Sequence, residues 1–196
     1  MMTLSRKLLT RVALVGAVIT LMGALPICAQ TSYDYRVLAT SRTSTLEKEM
    51  NEAADAGYRF SFVMGGKTAR GGSESVAVFT KTGQARQYSY MLLATLKTST
   101  MQKELQEASD VGFDYRGQTV FESEFGGLGE VVCILERDNK GTARRYDYKV
   151  LATSKTSTLE KELKIVGATG YEALGMTISK TLMGGDELVV IARKAK

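Results

Sequence analysis

One eighteen-residue string occurs three times in this chain. YDYRVLATSRTSTLEKEM at 33–50 returns as YSYMLLATLKTSTMQKEL at 88–105 and as YDYKVLATSKTSTLEKEL at 146–163. The first and third versions differ at three of their eighteen positions, all mild exchanges. A threefold repeat constrains the fold more than any other feature. Each copy must be one supersecondary unit, and the copies must bury one another's apolar faces. Aligned on Y-x-Y, they start at Tyr33, Tyr88 and Tyr146, spaced by 55 and 58 residues.

Every copy reads in the same order. YDYRVLAT alternates, with Tyr33, Tyr35, Val37 and Ala39 on one face and Asp34, Arg36, Leu38 and Thr40 on the other, which predicts a strand. A Ser/Thr loop leads into a helix. Ser44-Thr-Leu-Glu47 has the form of a capping box, repeated at Ser99–Gln102 and Ser157–Glu160. Leu46, Met50, Ala53 and Ala54 then mark one helical face. Gly57-Tyr58, Gly112-Phe113 and Gly170-Tyr171 supply the stop, with glycine in the left-handed position.

Two further apolar segments complete each copy. Glycine pairs at Gly71-Gly72, Gly126-Gly127 and Gly184-Gly185 separate them and predict hairpin turns. The last segments, SVAVFTK, EVVCILER and ELVVIARK, are apolar almost throughout and belong in the middle of a covered sheet. The expected fold class is α+β: three tandem β-α-β-β repeats, each a three-stranded mixed sheet with one helix on a face. Strand order 1-3-2 is favoured, with strand 1 parallel to strand 2, and order 1-2-3 is the alternative. The repeats span 30–85, 86–143 and 144–196. One unit of this size leaves the second face of its sheet in water and is marginal alone. The connectors TGQARQ and NKGTARR are short, so the three repeats should pack as one body.

Residues 1–29 read as a signal peptide. A basic start carrying Arg6, Lys7 and Arg11 precedes an apolar stretch and a small residue, Ala29, at the expected cleavage point. The expected location is periplasmic or secreted, and an uncleaved leader would be the protein's one tie to a membrane. Without the leader, 23 basic residues face 21 acidic ones, a net +2 in place of +5. That balance makes no case for nucleic acid, which needs a concentrated basic surface. Only Cys133 remains after cleavage, in an apolar run that reads as core. The chain has no histidine, which removes serine–histidine triads and the usual zinc sets. No catalytic residue, metal site or cofactor is therefore assigned.

The Y-x-Y-K-V opening, the Gly-aromatic helix stop and the V-V-x-x-R closing strand resemble the bacterial family called domain of unknown function 4177. Tyr146, Tyr148, Lys149, Val150, Gly170, Tyr171, Val189, Val190 and Arg193 carry the likeness in the third copy. The chain departs from it in having Tyr or Phe where the family often has Trp. The resemblance implies three tandem copies of that domain and brings no activity with it.

Candidate sites are few. MGGKT at 64–68 contains the Gly-Lys-Thr of a phosphate-binding loop, but Ser61 stands where the first glycine should be. The loops before the helices place Arg42 and Ser44, Lys97 and Ser99, and Lys155 and Ser157 at helix starts, where an anion can bind. The plainer reading makes the serines caps and leaves the cations in solvent. The tyrosine pairs can form a stacking surface or pack under the helix, and their alternation with valine favours packing. Ile165 occupies the position of Glu52 and Glu107, followed by Val166, and widens the apolar stripe of the third helix. That points to a contact with a neighbouring repeat, a second chain or a partner. The expected function is an exported, non-catalytic repeat protein that binds a protein or envelope component. An enzyme of unrecognised type, or an anion binder using the loops, is the alternative.

Overall fold

The computed structural model describes residues 32–68, 72–121, 129–180 and 185–196. The leader and most of the expected glycine turns, namely Gly71, Gly126, Gly127 and Gly184, lie outside the described residues. Tyr33–Lys196 forms one compact unit. Its elements run β1 (Tyr35–Thr40), α1 (Thr43–Asp55), β2 (Tyr58–Thr68), β3 (Gly72–Lys81), β4 (Tyr88–Thr95), α2 (Thr98–Asp110), β5 (Asp114–Phe121), β6 (Glu130–Asp138), β7 (Tyr146–Thr153), α3 (Thr156–Ala168), β8 (Glu172–Lys180) and β9 (Asp186–Ala195). No helix among the described residues is long and apolar enough to cross a membrane.

Three sheets of order β1-β3-β2, β4-β6-β5 and β7-β9-β8 repeat the expected 1-3-2 arrangement. The first and second strands of each repeat run in the same direction on either side of the third. Every hydrogen-bonded pair is consequently antiparallel, so the sheets are antiparallel and not mixed in their pairing. Each second strand carries an irregularity near its start, between Phe60 and Phe62, Tyr115 and Gly117, and Ala173 and Gly175. The left-handed glycines stand where the helices stop, with φ of 84°, 89° and 87° at Gly57, Gly112 and Gly170. At α2 and α3 the stop is complete. Phe113 N–H donates to the Ala108 carbonyl and Tyr171 N–H to the Val166 carbonyl, closing the last turn.

The helix starts differ from the capping-box expectation. Each helix begins two residues earlier, so Arg42, Lys97 and Lys155 are the cap residues and none makes a side-chain cap. Their backbone N–H groups donate instead to Thr40, Thr95 and Thr153 hydroxyls. Ser44, Ser99 and Ser157 thus sit inside the first turn, and the glutamate or glutamine three residues on is released for other work.

The sheets stack with a helix layer between them. In the first layer Leu46, Met50 and Ala53 of α1 and Phe60, Ala77 and Phe79 of the first sheet bury against Tyr90, Phe121, Val132 and Ile134 of the second. In the second layer Met101 and Leu105 of α2 and Cys133 and Leu135 of the second sheet meet Tyr148, Val189 and Ile191 of the third. Tyrosines of a first strand therefore pack under the helix of the preceding repeat, not under their own. Repeat 1 has no predecessor among the described residues, and Tyr33 and Tyr35 are exposed.

Candidate functional site

The two junctions between repeats are built from one set of contacts. Released from capping, Glu47 accepts from Leu92 N–H on the outer edge of β4, at 2.8 Å. Beside it Asn51 accepts from Tyr90 N–H and donates to the Tyr90 carbonyl. The second junction repeats this with amides: Gln102 accepts from Val150 N–H, Gln106 from Tyr148 N–H, and Ser109 brackets Tyr146. An edge strand exposes an unpaired row of donors and acceptors. Here the helix of the preceding repeat satisfies that row with side chains.

Deeper in each junction a tyrosine hydroxyl crosses over. Tyr90 accepts from Phe60 N–H and donates to Glu136, while Tyr148 accepts from Tyr115 N–H and donates to Asp114. Burial first, and then the Glu136 charge, pushes the Tyr90 hydroxyl well above the ordinary phenol range, so it stays a donor. An ion pair accompanies each: Arg59 grips buried Glu136 through two nitrogens, and Arg193 pairs with Asp114. The polarity is reversed between the two. At the first junction the preceding repeat gives the cation, and at the second it gives the anion.

The packing across each junction is a large residue against glycine. A Cβ on Gly117 would lie 3.3 Å from the Phe60 ring, and one on Gly175 would collide with the Tyr115 hydroxyl. Glycine is required here for close approach, not for a special backbone angle.

Among the described residues, grooves open at the junctions. One, of about 420 Å³, holds Arg59, Asp114, Arg116 and Glu136; Arg116 also pairs with Glu136, at 3.6 Å, so these charges are committed to one another and to Arg193. Another, of about 460 Å³, lies at the start of α2 and brings Lys97 and Ser99 beside Ser179, Lys180 and Glu187 of repeat 3. Arg42, Ser44, Lys155 and Ser157 are exposed at their own helix starts and line neither groove. Met64–Thr68 is a stretch of β2, an extended strand and not a phosphate loop. Cys133 is fully buried, and burial pushes its thiol up to about 12, as expected of a core cysteine. No group of three or more metal-ligating side chains occurs among the described residues.

Of the pair singled out on α3, Val166 is buried under its own helix and is unavailable to a partner, whereas Ile165 is 66% exposed. It sits on the outer side of the helix, where Lys48–Glu52 and Lys103–Glu107 pairs occupy the other copies. It is therefore not buried within this chain.

Sequence reasoning missed one exposed apolar face. The outer face of the first sheet presents Tyr33, Tyr35 and Val37 from the β1 side and Phe62 and Met64 from β2, all between 57% and 72% exposed. Cross-strand register puts Val37 and Phe62 on either side of Val78. The corresponding faces of the second and third sheets are covered, with Tyr90, Thr119 and Tyr148 buried and Leu92 and Val150 half-buried. Comparison with protein-family models, curated proteins and solved structures finds no match.

Proposed function

We infer that the protein is an exported, non-catalytic binding module of the cell envelope, and that the outer face of its first sheet is the working surface. The observation carrying this reading is the exposed cluster of Tyr35, Val37, Phe62 and Met64 beside the outer edge of β1, which pairs with no described residue. A contiguous apolar face of this kind marks an interaction site. Terminal repeats that meet only water have polar outer faces. Kinship with domain of unknown function 4177 belongs to the same proposal.

A photo-crosslinker placed at Val37 or Met64, in the cells that make the protein, should give defined adducts, and one placed at Lys48 should not. Equal labelling from all three positions, or none from any, would overturn the reading. The groove at the start of α2 favours a second use, binding of a small anion by Lys97, Ser99 and Lys180. Glu187 in the same groove opposes it. A phosphate titration followed by amide shifts at 97–99, and lost in Lys97→Gln, tests that alternative.

A further inference from the structure

The two ends of the stack are the two halves of one junction. Among the described residues no helix precedes the first strand and outer sheet face of repeat 1. No described strand covers the helix and inner sheet face of repeat 3, where Met176 and Ile178 are 57% and 62% exposed. Register places Tyr35, Tyr90 and Tyr148 at equivalent positions, and likewise Val37, Leu92 and Val150. Glu160 of α3 corresponds to Glu47 and Gln102, whose oxygens take the N–H groups of Leu92 and Val150. Its counterpart on a following chain is Val37 N–H.

We propose that the protein binds a second copy of itself head to tail, α3 and the exposed end of the third sheet receiving β1 and the outer face of the first sheet. This rests on the binding-module reading and names its partner.

The strongest support is a reversal of size. Inside the chain a large residue, Phe60 or Tyr115, presses on glycine, Gly117 or Gly175. At the ends the equivalent positions are exchanged: Ala173 stands where Phe60 and Tyr115 do, and Phe62 stands where the glycines do. Ala192 likewise replaces Phe79 and Leu135 in the central strand. Repeat 3 thus offers a hollow and repeat 1 the ring that fills it. Ile178 and Gly65 are matched in the same inverted sense, since Gly65 meets the Val120 backbone inside the chain and Val120 is the equivalent of both.

The polar contacts also transfer. Tyr35 meets Ala173 N–H and Glu172 in the places of Tyr115 N–H and Asp114. Two contacts change: Lys164 replaces Asn51 and Gln106 and can only donate, so it serves a β1 carbonyl, and Thr80 stands in the place of Glu136 and Arg193, so Glu172 meets a hydroxyl and not a cation. A heterologous contact of this type either closes into a ring or extends as a filament.

Sedimentation velocity over a concentration series, on protein with its native N-terminus, tests the proposal. Wild type should form multimers that grow with concentration. Phe62→Asp blocks the head and Met176→Asp the tail, both at exposed positions, and each alone should be monomeric with an unchanged melting temperature. Mixed, they should form a one-to-one dimer and nothing larger, because each retains the half the other lost. Ile165→Asp should leave assembly as in wild type. A wild type monomeric throughout overturns the proposal, including one whose head is covered by residues before Ser32. So does a mixture that stays monomeric, or multimers that persist in either variant alone. Defined adducts from Val37 to a different protein, with a monomeric wild type, would retain the binding reading and discard the self-association.

Discussion

At the scale of single residues, Glu47, Gln102 and Glu160 show how one sequence position takes its role from its neighbours. All three read as members of a capping box, yet the first two reach across to the next repeat and Glu160 pairs with Lys164 on its own helix. Glu47→Ala should cost about 1–2 kcal/mol in urea unfolding, since it leaves the Leu92 N–H unpartnered in a half-buried seam. Glu160→Ala, at monomer concentrations, should stay within about 0.5 kcal/mol, the usual range for a surface change. Equal costs would remove the seam from the account. Cys133 supplies a second residue-level test. Its thiol is fully buried, so it should resist alkylation in the native protein and react at the rate of global unfolding. Rapid labelling without denaturant would contradict that placement.

Among the elements, strands and helices were legible because their signals are local. Alternation marks β1, β4 and β7; an apolar face marks the helices; and runs apolar on both sides mark the central β3, β6 and β9. The left-handed glycines were legible for the same reason. What escaped was relational. Alternation groups Tyr35 with Val37 but does not say which helix that group meets, and in the folded chain it is the preceding repeat's helix. The open face was invisible because Y-x-Y is common to all three copies and only rank in the stack exposes one of them. Of the candidate residues, Lys97 and Ser99 line the groove at the start of α2 beside repeat 3, for the same positional reason.

The C-terminal end of α2 carries another seam. Lys196 donates to Asp110 and holds its carboxyl below the ordinary carboxylate value of about 3.9. A depressed folded value means that the stabilisation is whole above the unfolded value and disappears as pH falls through the folded one. Lys196→Ala should raise the Asp110 midpoint in a carboxyl-carbon NMR titration and remove that acid-side dependence. An unmoved midpoint would deny the contact in solution.

For the whole molecule, the shared layers predict a single transition. Each layer draws side chains from two successive repeats, so Tyr33–Lys196 should unfold with coincident circular dichroism and tyrosine fluorescence curves and equal calorimetric and van't Hoff enthalpies. Three separable steps would mean that the repeats fold on their own. The reversed polarity of the junction charges bears on something else, the ways such a gene can lengthen. An in-frame duplication of repeat 2 would set Asp114 of one copy against Glu136 of the next, two carboxylates where each had an arginine. Deleting repeat 2 would bring Arg59 against Arg193. Either event would yield a product with like charges facing each other in a partly buried seam, so the repeats, though alike in sequence, are not interchangeable in order.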